Sequence, residues 1–392
     1  MSAQMKVELQ RPPLPVALLA AAALMIGVLG AILLTEAGQI LDLPRDWVFS
    51  FYRYRLEISA ALIAVTLLLV YLHFRQHSTR HWLLGCYVAS ILACHFFINL
   101  FAPYVWLRAQ HHSAVFISVT EADSRLQPDD DVLVLEVNGD ARAYPRDWIM
   151  VPHIAGDTVG GEEVVMTYCA LSNLPQAFTS TPGGDTAEFR VIAQVNNNLI
   201  FSDTESGELY QQITGRGEYY GTQPQPYPVQ RMPWRAFKQL YPQGKVFSPH
   251  PNLLDRMTIA LFNSSLVDHY RGDPLFATLN LEDERLPAGE PVWGLRVGEQ
   301  SLAIPQGQFG DEDSLDHLTL NGRQLVIAWF SDLQTLGAFY ADHNKQALSV
   351  SEVDPYGNSN AGKLQRVQLF PGVLWMVWSH WFPDTRIWPA PM

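Results

Sequence analysis

Only three cysteines occur in 392 residues, and two of them, Cys86 and Cys94, lie in a hydrophobic run. Cys169 stands alone in the remainder, so no disulfide framework can staple that part of the chain. Positive charge is scarce as well. From residue 109 onward 18 Lys and Arg face 34 Asp and Glu, a balance that repels phosphate backbones and excludes nucleic acid as a partner. The first 108 residues have the opposite sign, eight bases against five acids. Phosphate-binding loops are missing too, since Gly215-Arg-Gly217 matches none, and no Cys/His protease signature is present. His250, His269, His317, His343 and His380 are scattered without ligand spacing and read as surface residues.

What the chain does have, near its start, is uncharged apolar length. Leu14 to Thr35 runs 22 residues without a charge. That is enough to cross the ~30 Å hydrocarbon core as a helix, and it exceeds the about 7–15 apolar residues of a cleaved signal peptide. Two more runs follow, Ile58 to Phe74 and Trp82 to Leu107. Tyr52, Tyr54, Trp82, Tyr104 and Trp106 at the run ends suit a headgroup interface. The short basic loop from Arg75 to His81, with Lys6 and Arg11, places the N-terminus and second loop inside and the C-terminal region outside, against Arg45, Arg53 and Arg55 in the first loop. The expectation is a tail (1–13) and a three-helix transmembrane anchor (14–107) in the inner membrane. The lipid bilayer is then a partner, and the C-terminal domain is extracytoplasmic (periplasmic). Cys86, Cys94, His95 and Asn99 are the polar exceptions within the runs. Cys94 and His95 are a candidate metal or haem pair, although such residues more often pack helix against helix.

After Ala114 the texture changes to short β-type runs, such as Val132–Gly139, Val164–Tyr168 and Phe189–Gln194, broken by Asn-Gly and Asn-rich turn signals. Four blocks recur in order. Val134–Pro145 matches Trp293–Pro305, and Gly161–Cys169 matches Gly322–Phe330. Ala177-Phe178 falls on Ala338-Phe339, and Pro233–Pro242 matches Leu374–Pro383. In the last pair Trp234, Phe237, Leu240 and Tyr241, and likewise Trp375, Trp378, Trp381 and Phe382, share one helical face, which reads as core packing. The stretch Leu369–Phe382 is too short for a fourth span. The predicted fold is therefore a membrane protein, with three transmembrane helices followed by a β-rich α+β soluble domain of two pseudo-repeated halves, 114–285 and 286–392.

Ala141-Arg-Ala-Tyr-Pro145, His153, Asp157, Gly160-Gly161 and Thr167-Tyr-Cys-Ala-Leu-Ser172 together resemble the prokaryotic domain-of-unknown-function family 3179. Asp203-Thr-Glu-Ser-Gly207, Gln211, Gly215, the Trp234–Pro242 helix and the Trp378–Thr385 stretch extend the resemblance over Asp131 to Trp388. The resemblance implies an exported or membrane-anchored domain. Family members carry Cys-Pro-Leu-Cys where this chain has Cys169-Ala-Leu-Ser172, and Asn-Asp where it has Gly156-Asp157. That departure argues against any function needing two thiols, a dithiol–disulfide cycle above all.

Neither His153 nor Cys169 is repeated, since Cys169 aligns with Phe330 and His153 falls near Ser314. They are the leading site candidates, with Asp157, Tyr168 and Ser172 as neighbours and Tyr144 and Asp203 added from the matched blocks. A thiolate and an imidazole suit a copper or zinc ion, given a further ligand. They equally suit a thiol nucleophile with His153 as its base. The plain alternative is a buried cysteine and a hydrogen-bonded histidine. The leading functional expectation is an accessory protein of the envelope, binding a partner protein or a metal ion in support of a membrane complex. The rivals are a thiol-dependent enzyme using Cys169 and His153 and a purely structural subunit.

Overall fold

The Ala- and Leu-rich run that opens the chain has high helix propensity and forms α1 (Leu14–Leu33). In the computed structural model, which describes residues 14–75, 80–106, 109–181, 187–343 and 346–389, α2 (Arg45–Arg53), α3 (Arg55–Arg75) and α4 (His81–Phe96) follow, and α4 continues as a π-helical stretch, Phe97–Trp106. Three helices, Leu14–Leu33, Arg55–Arg75 and His81–Ala102, are long and apolar enough to cross a membrane. Small residues let them approach closely. A Cβ on Gly27 would touch Cys94 Cβ at 3.4 Å on the third of them, and one on Gly30 would strike the ring of Phe51, on the short helix α2, at 2.1 Å. Asn99 Nδ2 donates to Ser59 Oγ (3.0 Å), fastening the third long helix to the second. Cys94 and Asn99 thus act in helix packing. The tail with Lys6 and Arg11, loop residues 76–79, and Leu107 with Arg108 lie outside the described residues.

The chain divides into two compact units, Met1–Trp106 and Leu107–Met392. In the second, β1 (Phe116–Ser118) and α5 (Val119–Ala122) lead into the hairpin β2 (Asp131–Val137) and β3 (Asp140–Pro145), then α6 (Arg146–Ile149). The meander β4 (Ile154–Val159), β5 (Glu162–Cys169) and β6 (Leu174–Thr179) precedes β7 (Phe189–Val195), β8 (Asn198–Asp203), β9 (Leu209–Gln211) and β10 (Arg216–Gly217). Next come β11 (Pro226–Tyr227), β12 (Val229–Pro233), α7 (Trp234–Leu240), β13 (Lys245–Phe247) and the long helix α8 (Leu253–Tyr270). The remainder comprises β14 (Pro291–Val297), β15 (Gln300–Pro305), the meander β16 (Ser314–Leu320), β17 (Arg323–Phe330) and β18 (Thr335–Tyr340), and four two-residue strands, β19 to β22, between 342 and 363. It closes with β23 (Leu369–Leu374), α9 (Trp375–Trp381) and β24 (Arg386–Ile387). The unit is β-rich, with several sheets, and Leu369–Phe382 is a strand followed by a helix.

Turn chemistry sets the hairpins. Asn138-Gly139, Gly160-Gly161, Asn196-Asn197 and Asn321-Gly322 all have two positive φ angles, the geometry of a type I′ turn matched to strand twist. Registers recur along the chain. Ile154 pairs with Thr167 and Cys169 with Leu174, while Leu315 pairs with Ala328 and Phe330 with Thr335. Every partner is displaced by the same number of residues. The order β12-β2-β3-β13 is mirrored by β23-β14-β15-β24, and in both the last pair is parallel. Trp234 and Trp375 are fully buried at the head of α7 and α9. Their indole N–H groups donate to Asp123 Oδ1 (2.9 Å) and Asp283 O (3.1 Å), which satisfies the one polar atom that burial would otherwise strand. The sheet β10-β9-β8-β7 has no counterpart after β18 among the described residues.

Candidate functional site

His153 stands directly before β4 with φ +68°. Its carbonyl accepts the Tyr168 N–H (2.8 Å), and its Nδ1 lies 3.1 Å from Tyr168 O. Cys169 ends β5 wholly enclosed, with Sγ 3.8 Å from both Gln194 Oε1 and Asn197 O. The turn that follows is pinned from α8. Tyr270 Oη donates to Ala170 O (2.9 Å), and His269 Nε2 meets Leu171 O at 2.5 Å. Because Leu275 N–H donates to His269 Nδ1 (3.0 Å), the proton sits on Nε2 and the ring is neutral. His269 is fully buried, not the surface histidine its isolation in the sequence suggests, because both ring nitrogens find backbone partners.

Ser172, in place of the second cysteine, is buried and receives Asn198 Nδ2 at 3.3 Å. It joins a network in which Gln211 Nε2 donates to Asn198 Oδ1 (3.0 Å) and Gln212 Nε2 to Thr167 Oγ1 (2.9 Å). Tyr168 Oη donates to Asn173 Oδ1 (2.9 Å), and Asn173 Nδ2 crosses to Gly372 O (2.7 Å). Asp203 organises a turn instead, accepting from Glu205 N–H (3.0 Å) and the Ser206 hydroxyl (2.6 Å). Asp157 holds the Nε of Arg142, a guanidinium 2% exposed whose Nη1 also reaches Asp140 Oδ1 at 2.5 Å. Tyr144 lies between Phe116 and Phe247. Burial foremost, then nearby Asp157, pushes its phenol well above the ordinary value, so it offers no proton near neutrality.

The structure thus brings Tyr168, Cys169, Ser172 and His153 together around one turn and leaves Asp157 with Tyr144 in a second cluster and Asp203 in a third. Among the described residues no group of three or more His, Cys, Asp or Glu converges to hold a metal. An enclosed thiol cannot reach a substrate. In a Cys86→Ala, Cys94→Ala background, Cys169 is expected to react with a thiol reagent at least ~100-fold more slowly than free cysteine until the protein unfolds. An absorbance time course with and without denaturant checks this.

His111 supplies a pH dependence. Burial first, then His112 and Arg190, lower its pKa to about 4, opposed by Asp203; burial likewise lowers that of His269. As pH falls through 6.5 the unfolded chain takes up these protons before the folded one. The stability present above pH 6.5 is therefore lost progressively down to about pH 4, by about 3 kcal/mol for His111. Urea midpoints at pH 7 and pH 4.5, with His111→Gln flattening the difference, measure it.

A cleft of about 780 Å³ opens in this unit, within the range of ligand pockets. One wall is the β9–β10 turn with Thr214, Gly215 and Arg216; the other carries Arg296, Ser301 and the Trp381–Asp384 turn. Arg296 lies on β14 with its guanidinium carbon 4.4 Å from the Phe382 ring centre. Its buried Nε has no hydrogen-bond partner, and burial lowers its pKa despite Glu299. Behind it Gln368 Nε2 donates to Gln176 Oε1 (2.9 Å), while Gln176 Nε2 and Gln368 Oε1 are buried without partners. Sequence reasoning missed Arg142, Gln176, Arg296 and Gln368. Arg142 stands in a block that carries the family resemblance, and Arg296 left a trace because block matching sets it against Glu136, a reversal of charge where the flanking apolar residues persist. The profile of the family described as Protein of unknown function (DUF3179) matches residues 111–385. No curated protein and no solved structure matches the chain.

Proposed function

The chain belongs to the DUF3179 family, a family of unknown function, and from that premise we propose a membrane-anchored, extracytoplasmic accessory protein that holds a partner polypeptide in the cleft between two pseudo-duplicated halves. Three helices of spanning length support the anchor, with the basic loop setting its orientation. The recurring registers and strand orders support the duplication. The observation that carries the binding role is the cleft itself. Buried amide atoms of Gln176 and Gln368 and the Nε of Arg296 stand there without protein partners, and buried polar groups in folded proteins are nearly always paired. Gly215 and the Trp381–Asp384 turn, both within the sequence blocks that resemble the family, line it.

The test is in-cell photo-cross-linking with a benzophenone amino acid at Gln223 on the cleft, and at exposed Thr319 as control, in the full chain. A discrete protein adduct from the membrane fraction at Gln223 alone supports the reading. Equal labelling at both positions, no adduct, or recovery of the chain in the detergent-free supernatant sinks it. No observation favours thiol catalysis, because Cys169 is sealed.

A further inference from the structure

Arg296 has no carboxylate partner within ion-pair distance among the described residues, although the protein carries 39 Asp and Glu against 26 Lys and Arg. In so acidic a chain a half-buried arginine left unpaired is a costly arrangement. The fold does not require it. Arg296 pairs with Ser301 across β14 and β15 at the register where Glu136 pairs with Ala141 across β2 and β3, so the same strand position accepts the opposite charge. What Arg296 does have is a platform, for its guanidinium lies against Phe382, whose ring packs on Trp378 at 4.5 Å. Stacking holds the planar fork in place and leaves its edge for a planar anion.

Gln176 adds a second, independent signal. It is 2% exposed, it lines the cleft, and its Nε2 is unpartnered. Turning both amides about their ends would pair Gln176 Nε2 with Gln368 Oε1 and free the other two atoms. In either arrangement one amide donor and one amide acceptor remain beside Arg296. An arginine next to a free donor and acceptor matches a carboxylate adjoining a peptide group. Phe178, Ile213 and Phe370 supply apolar surface for side chains. Glu299 and Asp384 offset the charges of Arg216 and Arg296, so the cleft has no surplus positive charge to favour a multiply charged phosphate.

We infer that the cleft receives the free C-terminal carboxylate of a polypeptide, with Arg296 binding the carboxylate and the Gln176–Gln368 pair reading the adjoining peptide amide. This rests on the reading of the cleft as a partner site and names what enters it.

The probes are acetyl-Gly-Gly-Phe with a free carboxylate, the same peptide as its C-terminal amide, and inorganic phosphate, each titrated into the full chain in mild detergent by calorimetry. The free acid is expected to bind at least ~10-fold more tightly than the amide. Arg296→Gln should weaken the acid by that factor, leave the amide unchanged and leave the melting temperature intact. Arg296→Lys should fall between, since an ammonium neither forks nor stacks equally. Equal loss for acid and amide, no preference for the acid, no binding of either peptide, or phosphate displacing the acid at matched concentration would each overturn the assignment. A Gln223 adduct that persists in Arg296→Gln refutes this inference and spares the binding role. Its absence from the unmodified protein removes that role.

Discussion

Gly156→Asn is expected to lower the melting temperature of the full chain in mild detergent by about 5–10 °C, a loss of about 3 kcal/mol. The substitution introduces the residue that the family resemblance expects before Asp157, so a sequence comparison alone scores it as neutral or favourable. Packing says otherwise. The segment at Gln110 lies alongside Ala155 as an isolated parallel bridge, with Gly156 N–H donating to Gln110 O (3.1 Å) and Gln110 N–H to Ile154 O (2.9 Å). A Cβ on residue 156 would stand 2.1 Å from His111 O. That is a backbone atom, so relief requires moving the whole segment and giving up both hydrogen bonds, together with the enclosure that keeps His111 neutral. Gly156→Ala should show most of the effect, since the clash begins at Cβ. A melting temperature within 2 °C of the parent protein would refute the account. Thermal unfolding followed by tryptophan emission is the measurement.

Gly372→Val should cost more, about 4 kcal/mol or above, enough to shift the urea midpoint severely. Gly372 is the extra residue of a bulge where β23 passes β14, between the pairs Val292–Val373 and Trp293–Pro371. Its φ is +81°, a left-handed value that a β-branched residue adopts only under strain. Nη1 of Arg231 occupies the space of the missing side chain, 1.5 Å from an ideal Cβ. Displacing that guanidinium breaks its two bonds to Asp131, Nε to Oδ1 (2.9 Å) and Nη2 to Oδ2 (2.5 Å). It also disturbs the Asn173 bond to Gly372 O, which joins the turn after β5 to β23. The contributions separate in a double-mutant cycle. In an Arg231→Ala background Gly372→Ala should cost only the backbone strain, about 1–2 kcal/mol. Additive losses in the cycle would mean that the close approach is not what Gly372 provides.

The elements were easier to read than the sites. Unbroken apolar length, Asn-Gly and Asn-rich turns and the aromatic faces at Trp234 and Trp375 are local signals, and each produced the expected helix or hairpin. The strands around Leu133, Val165 and Ile192 were legible because alternation between turn residues leaves little else for them to form. Polar residues behaved differently, because burial of an Asn, Gln, Arg or His is decided by partners far along the chain. Asn173 bonds Gly372, His269 bonds Leu171 and Gln368 bonds Gln176, and no window of sequence contains both members of any such pair. Cys169 and His153 drew attention as the reactive types in a distinctive block, yet the block builds a polar core under a turn. Arg296 sits within Trp-Gly-Leu-Arg-Val, where alternation alone suggests a side chain in water. Its aromatic platform comes from Phe382, 86 positions later. Comparing the blocks with each other was the one sequence operation able to expose it.

The shared pairing register of β4–β6 and β16–β18 has a further consequence for how the chain finds its structure. Each middle strand is a geometrically acceptable neighbour for the outer strands of the other meander, so a nascent chain holds two interchangeable templates. What keeps them apart is divergence at the contact faces. Phe330 is too bulky for the enclosed niche of Cys169, and Thr167, which meets Gln212, corresponds in register to Ala328. Making the two meanders more alike should therefore slow refolding and favour cross-assembled, aggregation-prone species, even where each exchange is harmless by itself.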